Sequence, residues 1–192
     1  NYTGNGLPNP LLVTSIYAID CTIYAGTTGG LGVSTAILAD WANIYWTNYT
    51  SSDGLGLSAV NGVYAVGDTI YAATGSIGQS GGVSVSTDNG ANWTNYTTAN
   101  GLGSDLVYGV YAQGDTIYAA TYGGLSVSTD NGANWTNYTT ANGLGANGVN
   151  GVYAIGSTIY AATNFGLSVS TDSGSTWTND TYADGLGSNQ LN

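Results

Sequence analysis

The stretch SVSTDNGANWTNYTTANGLG at residues 84–103 decides the fold, because the same twenty residues return unchanged at residues 126–145. A verbatim repeat indicates that each copy forms the same structural unit and packs on its neighbours. The tryptophan of this stretch recurs at Trp46, Trp93, Trp135 and Trp177. Successive copies are therefore offset by 47, 42 and 42 residues. A period of about 40–50 residues is typical of propeller blades and of some solenoid coils.

Each copy contains four short segments with the composition of β-strands. In the third copy they are VYGVYA, TIYAAT, LSVST and WTNYT, and they are separated by turns rich in Gly, Asn and Asp. No window has a helical period, and Gly, Thr, Asn, Tyr and Val dominate. The sequence therefore predicts an all-β fold, a β-propeller of four four-stranded blades in a single domain spanning residues 1–192. The repeats cover approximately residues 1–47, 48–94, 95–136 and 137–178.

Residues 179–192 form a surplus connector after the fourth repeat. They correspond in sequence to the start of the chain, so the two ends of the chain would have to occupy the same position in a closed ring of four blades. An unpaired strand edge is a liability that proteins normally cover. We therefore expect the tail to contact another chain, with burial of Leu186 and Leu191, in a head-to-tail assembly that grows into a filament. The equally consistent alternative is that these residues are one window of a longer tandem array.

The single cysteine, Cys21, occupies a hairpin tip where the other copies carry Asp68, Asp115 and Ser157. We expect it to be exposed to solvent. It is either a neutral replacement or the site of an intermolecular disulfide, because one cysteine cannot form an internal disulfide.

The charge composition excludes several classes of partner. The chain has no Lys, Arg or His and a net charge of −11 at pH 7. Without cations it cannot neutralise phosphates, so nucleic acid and anionic lipid surfaces are poor partners. No apolar run approaches the roughly 20 residues needed to span a bilayer. Nothing in the sequence points to a cofactor.

Seven Asn-x-Ser/Thr sequons predict an extracellular glycoprotein. A surface with so little charge needs another source of hydration, which glycans would supply. The alternative is that an Asn/Thr-rich strand, repeated four times, creates sequons by chance. Besides Asn1, the candidate glycosylation sites are Asn48, Asn92, Asn95, Asn134, Asn137 and Asn179.

The segment STDNGANW, at residues 86–93 and 128–135, resembles the Asp-box of the bacterial neuraminidase repeat, and STDSGSTW at 170–177 fits it too. The NGLGS connector and the YAAT segment resemble blade repeats of regulator-type sensor propellers. The Asp-box resemblance implies a turn between the third and fourth strands of a blade. The implied structural residues are Asp88, Gly90, Trp93, Asp130, Gly132, Trp135, Asp172, Gly174 and Trp177.

The box aspartates have a metal-binding alternative, because an Asp near Asn oxygens is similar to a sparse calcium site. One carboxylate per turn is too few for tight binding, so we predict no metal site. The box tryptophans have a second possible role as a platform for carbohydrate, beside their role in packing.

The absence of Arg, His and Lys bears on whether the protein is an enzyme. Sialidases resembling this repeat use an arginine cluster, which is absent, and no His or Lys is available as a general base. We therefore predict no catalytic residues and a non-enzymatic extracellular or cell-surface structural glycoprotein that self-associates into a filament. The alternative is a carbohydrate- or protein-binding propeller module of a larger surface receptor, and a glycosidase is the remote third reading.

Overall fold

The computed structural model describes residues 12–35 and 45–190, which form four antiparallel sheets of four strands each. Within every sheet the strands lie side by side in chain order. This confirms the prediction of four four-stranded propeller blades. We name the sheets blade A to blade D.

The strand bounds are as follows. Blade A contains β1 (Val13–Ile19), β2 (Thr22–Thr27), β3 (Gly30–Thr35) and β4 (Thr47–Tyr49). Blade B contains β5 (Val60–Val66), β6 (Thr69–Ser76), β7 (Gln79–Ser86) and β8 (Thr94–Tyr96). Blade C contains β9 (Val107–Gln113), β10 (Thr116–Thr121), β11 (Gly124–Ser128) and β12 (Thr136–Tyr138). Blade D contains β13 (Val149–Ile155), β14 (Thr158–Thr163), β15 (Gly166–Ser170) and β16 (Thr178–Asp180).

A two-residue turn joins the first and second strands of each blade. Its first residue has a positive φ, which Gly67, Gly114 and Gly156 adopt without steric cost. In blade A the same position is taken by Asp20, with φ of 51°. Asp is among the few residues that tolerate this conformation, so the hairpin keeps its register, with Ile19 opposite Thr22.

Each blade is followed by a short 3₁₀ turn that leads to the next blade or to the C-terminal segment. A threonine caps the turn with its side chain, and a glycine with φ of 105–108° ends it. The four turns are Ser51–Asp53, Thr98–Asn100, Thr140–Asn142 and Tyr182–Asp184. The Gly-Leu pair then places its leucine between two blades, where Leu55, Leu102 and Leu144 are buried.

Apolar clusters between consecutive blades form the core. We call the face of a blade that contacts the next blade its forward face and the opposite face its backward face. In blade C, the forward face presents Tyr118 and Leu125, which pack on Val149 and Ile159 of the backward face of blade D. The A–B and B–C clusters use equivalent residues. Stability is therefore distributed over three similar interfaces.

As far as residues 12–35 and 45–190 show, the four blades form an arc rather than a closed ring. The innermost strands β1, β5, β9 and β13 pack consecutively, but the described parts of β13 and β1 lack the extensive packing that joins each consecutive pair. A tyrosine from each inner strand stacks tilted on the next, with ring centroids 4.9 Å apart at all three steps. We call this row the tyrosine ladder; its members are Tyr17, Tyr64, Tyr111 and Tyr153.

Two expectations concern residues outside the described ranges, namely the sequon at Asn1 and the burial of Leu191.

Candidate functional site

The repeated STD turn is built around its aspartate. In blade C, the Asp130 carboxylate accepts hydrogen bonds from the Asn134 backbone N–H and the Ser128 hydroxyl, both at 2.8 Å. The Asn134 side-chain amide donates to its other oxygen at 2.7 Å. The same bonds recur at Asp88, and at Asp172 with Thr176 in place of Asn. The aspartate therefore joins the two ends of the turn through side-chain and backbone hydrogen bonds.

These hydrogen bonds favour the ionised carboxylate. Bonds from the side chain and backbone of Thr176 lower the pKa of Asp172 to about 2. Bonds from Asn92 and Asn134 likewise lower the pKa of Asp88 and of Asp130. The turns therefore stay anionic at neutral pH.

The geometry offers no metal centre within the described parts of the chain. No three Asp, Glu, His or Cys side chains come together there. Each box carboxylate has both oxygens engaged by the protein's own donors. Outside the boxes, Asp53, Asp105 and Asp184 accept backbone N–H bonds from 3₁₀ turns. These carboxylates have structural roles.

The box tryptophans link consecutive blades. Trp135 is half-buried, donates its indole N–H to Gly132 O at 3.1 Å, and meets Tyr96 of blade B edge-on with centroids 5.8 Å apart. A Cβ on Gly101, in the preceding connector, would lie 3.5 Å from Trp135 Cβ. Trp177 repeats this arrangement. The rings are therefore wedged between a turn and the previous blade, which does not favour the carbohydrate-platform reading.

The sequon asparagines fall into two structural groups. Asn92 and Asn134 are exposed in the turn, where their amides bond to the box aspartates. The second group is Asn95, Asn137 and Asn179 on the outermost strands, also exposed. In this group the amide oxygen accepts from a buried serine hydroxyl at 2.6 Å, and the amide nitrogen donates to the glycine carbonyl of the preceding connector at 2.8–2.9 Å. Asn48 is half-buried.

The asparagines of the outermost strands thus form hydrogen bonds that connect two parts of the fold, a role that sequence reasoning missed. The Ser–Asn–Gly bridge ties each outermost strand to the connector before it, and the same serine accepts the N–H of a second connector glycine at 3.0 Å. The signal was visible in the sequence as the invariant spacing of Ser84 to Asn95, Ser126 to Asn137 and Ser168 to Asn179. The Ser–Asn–Gly bridge is by itself a sufficient structural reason for the recurrence of these Asn residues, whether or not they carry glycans.

The two ends of the arc expose the positions that are buried between blades. On the forward face of blade D, Tyr160 is 37% exposed, whereas Tyr71 and Tyr118 at the same position are 4% and 6% exposed. On the backward face of blade A, Val13 is 44% exposed, whereas its counterparts Val60, Val107 and Val149 are fully buried. Ile16, also on this face, is 69% exposed.

Cys21 is exposed at its hairpin tip, as expected. In the surplus connector, Leu186 is half-buried, whereas Leu55, Leu102 and Leu144 at the same position are buried. The difference arises because the earlier leucines are covered by the following blade.

A cavity of about 460 Å³ lies at the junction of blades B and C. Its lining includes Ile77, Leu106, Tyr108 and Tyr122. Residues 76–80, an insertion relative to the other copies, were not associated with a site from the sequence. The distinguishing signal was that Tyr108 and Tyr122 replace small or polar residues of the other repeats.

Comparison with known proteins agrees with the architecture. Among solved structures, the extracellular domain of the hybrid two-component system BT3049 from B. thetaiotaomicron superposes with a TM-score of 0.79 at 18% identity, over 97% of this chain and 25% of that chain. PorZ, a surface component of the type-IX secretion system of Porphyromonas gingivalis, superposes with a TM-score of 0.59 at 16% identity, over 88% of this chain and 22% of that chain. The GH74 xyloglucanase of Xanthomonas campestris superposes with a TM-score of 0.60 at 21% identity, over 88% of this chain and 30% of that chain. The chain thus spans about a quarter of these relatives' lengths.

A search of curated protein sequences gives no match. Within the described residues, no helix is long and apolar enough to cross a membrane. The four stacked, four-stranded sheets define a β-propeller. The DUF6242 beta propeller domain matches residues 42–191, and the chain belongs to this family.

Proposed function

We propose that this chain is a non-enzymatic, extracellular structural propeller that associates end to end, with the forward face of blade D in one copy docking on the backward face of blade A in the next. One observation carries the proposal: the two terminal faces expose the residues that are buried at the three internal interfaces. We assign a second copy as the occupant because it presents the complementary face; the other candidate is a further blade of a longer tandem array. The contact would continue the tyrosine ladder from Tyr153 onto Tyr17.

The physical argument rests on the hydrophobic effect. At each internal interface, burial of the Val, Ile, Leu and Tyr side chains removes apolar surface from water, worth roughly 25 cal/mol for each Å². The terminal faces leave this gain unrealised in a single copy. A head-to-tail contact pairs the forward face of one copy with the backward face of another. The resulting dimer still has one unpaired face of each kind, so further copies can add and a filament grows unless the ring closes.

An extracellular location and glycan attachment are part of this proposal. The sequons support it, and so do the surface or extracellular propellers to which the chain is similar. We also assign the STD turns to the Asp-box type, on the basis of the Asp-centred hydrogen bonds. A non-enzymatic role is supported by the structural bonding of the box carboxylates, although similar folds include the GH74 enzyme.

The alternative is a carbohydrate- or protein-binding propeller module of a larger surface receptor. The propeller fold is compatible with both functions. They differ in whether the isolated chain associates with itself.

The test combines three variants of the full chain, measured by sedimentation velocity and negative-stain microscopy. Ile16→Asp places a charge on the backward face of blade A, and Tyr153→Asp places one on the forward face of blade D. Ile16 is 69% exposed and Tyr153 is 51% exposed. Because Tyr153 also stacks on Tyr111 of the same chain, circular dichroism is used to check that each variant is folded. Val66→Asp is the matched control, because it adds the same charge to an exposed aliphatic position outside the terminal faces.

The wild type and Val66→Asp should form end-to-end chains, and each face variant alone should be monomeric. An equimolar mixture of Ile16→Asp and Tyr153→Asp should form dimers only, because one intact pair of faces remains. A monodisperse wild-type monomer would overturn the proposal in favour of the binding module. Polymers of either face variant alone would show that these faces are not the contact.

A further inference from the structure

The cavity between blades B and C is formed where three departures from the repeat coincide. The first is the insertion that lengthens β6 and β7, so that Ser76 pairs with Gln79 beyond the Thr74–Gly82 pair. The second is Leu106, where the connectors before blades B and D have the smaller Ala59 and Gly148, although the connector before blade A also has a leucine, Leu12. The third is a pair of tyrosines in blade C.

The two tyrosines replace residues with other roles. Tyr108 stands at the position of Asn61 in blade B, whose side-chain amide bonds to Gly75 O and to Val107 O of the next blade, both at 2.8 Å. In blade D this position is Asn150, which donates to Asn164 Oδ1 at 2.9 Å. Tyr122 stands where blade A has Thr28, and it is 63% exposed. Blade C therefore gives up a polar bridge and presents two aromatic rings at the cavity.

The lining has the character of a small-molecule site. Its volume lies within the range of about 300–1,000 Å³ that is usual for ligand pockets, and its surface is mainly apolar with a few polar groups. Burial raises the pKa of the Tyr108 phenol, so both hydrogen-bonding modes of its hydroxyl remain available at neutral pH. Gln79 and the nearby serines add further groups that can donate and accept.

Charge narrows the ligand class. The only carboxylate in the lining is that of Asp105, which accepts the Thr98 N–H at 2.6 Å. The chain has no Lys, Arg or His to pair with an anion and has a net charge of −11. An anionic ligand would therefore be repelled without compensation.

We propose that this cavity binds a neutral saccharide unit of a glycan. A pyranose ring has apolar C–H faces, which match the rings of Tyr108 and Tyr122 and the Leu106 side chain. Its hydroxyls both donate and accept hydrogen bonds, which match Gln79 and the carboxylate oxygen of Asp105. The site lies at an internal junction, so it is independent of the end-to-end contact.

The test uses the full chain made in a host without N-glycosylation, titrated calorimetrically with cellohexaose, mannohexaose, xylohexaose and maltohexaose. Sialyllactose is the anionic probe. The site variant combines Tyr108→Asn and Tyr122→Thr, which are the residues that blades B and A carry at these positions and are therefore compatible with the fold. Tyr182→Ala is the matched control, since it removes an exposed tyrosine elsewhere.

We expect at least one neutral hexasaccharide to bind, and the double variant to bind it at least roughly tenfold more weakly because both aromatic contacts are lost. Tyr182→Ala should bind as the wild type does, and sialyllactose should not bind. The proposal is overturned if none of the four neutral probes binds, or if the double variant retains wild-type affinity while its thermal unfolding is unchanged. Equal binding of sialyllactose would overturn the neutral class.

Discussion

Gly132 shows how a single residue in the repeat serves two purposes. Its φ of 92° lies in the left-handed region, as expected for a turn glycine. In addition, the Tyr96 ring of the preceding blade lies so close that a Cβ on Gly132 would collide with it. The Tyr96 hydroxyl donates to Asn131 O at 2.9 Å. This inter-blade contact could not be predicted from the sequence, because the turn motif specifies only its own backbone.

We predict that Gly132→Ala destabilises the protein more than Gly114→Ala. Both positions have positive φ, so each change costs about 1–2 kcal/mol of backbone strain. A methyl group on Gly114 would have no atom within 4 Å, whereas Gly132→Ala adds roughly 1–3 kcal/mol of overpacking against the Tyr96 ring. Urea unfolding followed by circular dichroism measures the difference. Equal midpoints for the two variants would contradict the close approach of Tyr96.

We predict that mass spectrometry of native material finds hexose-containing mass on peptides that carry Asn92, Asn95, Asn134 or Asn137. These residues lie on exposed turns and outermost strands. Each amide nitrogen donates one hydrogen bond within the fold, and an attached glycan would leave one N–H for it. The chain lacks Lys and Arg, so peptides must be produced with chymotrypsin. Unmodified Asn at all four positions would remove the glycoprotein part of the proposed function.

Among the structural elements, the inner strands differ from the others because they carry the tyrosine ladder. Burial, together with the neighbouring Tyr17 and Tyr111 phenols, raises the pKa of Tyr64 to about 12. Burial raises the pKa of Tyr111 as well. The sequence shows that tyrosine recurs at this strand position in every copy. It could not show that the rings form a continuous row, because their spacing depends on how the blades stack.

We predict that the ladder makes stability fall in alkali. In the unfolded chain a tyrosine ionises near pH 10, but folded Tyr64 holds its proton to about pH 12. The contribution of Tyr64 to the free energy of unfolding is therefore complete below about pH 10 and is lost as the pH rises towards 12. Urea unfolding across this interval measures the loss, and Tyr64→Phe should show a shallower decline. An unchanged slope in Tyr64→Phe would mean that Tyr64 does not contribute to this pH dependence.

Strand order and hairpin register were predictable at this scale, because alternation and turn residues recur in every copy. The B–C cavity was less predictable. Its residues are separated in the chain, and only the packing of blade C on blade B brings residues 76–80 next to Tyr122.

For the whole molecule, net charge opposes the association of copies and the exposed terminal faces favour it. Eleven aspartates without a single cation make every copy repel every other, whereas the terminal faces favour contact. The repeat count was readable from the sequence, but the open arc was not. Whether four blades close depends on the angle between blades, which no residue pattern specifies.

We predict that end-to-end association strengthens with ionic strength. The Debye length falls from about 30 Å at 0.01 M salt to about 8 Å at 0.15 M, which screens the repulsion between copies. The hydrophobic contact is not weakened by this screening. Sedimentation velocity at several salt concentrations measures the effect, with Ile16→Asp as the control that should stay monomeric throughout. Dissociation at higher salt would indicate a contact of electrostatic origin.

The near identity of the internal interfaces also bears on how such a chain can change its length. Recombination between the identical stretches at residues 84–103 and 126–145 would delete or duplicate one unit of 42 residues. After deletion, the forward face of blade B would meet the backward face of blade D, which carries Val149, Ala154, Ile159 and Ala161 where blade C carries Val107, Ala112, Ile117 and Ala119. The gene can therefore gain or lose whole blades without creating an unmatched interface, and blade number is a variable on which selection can act.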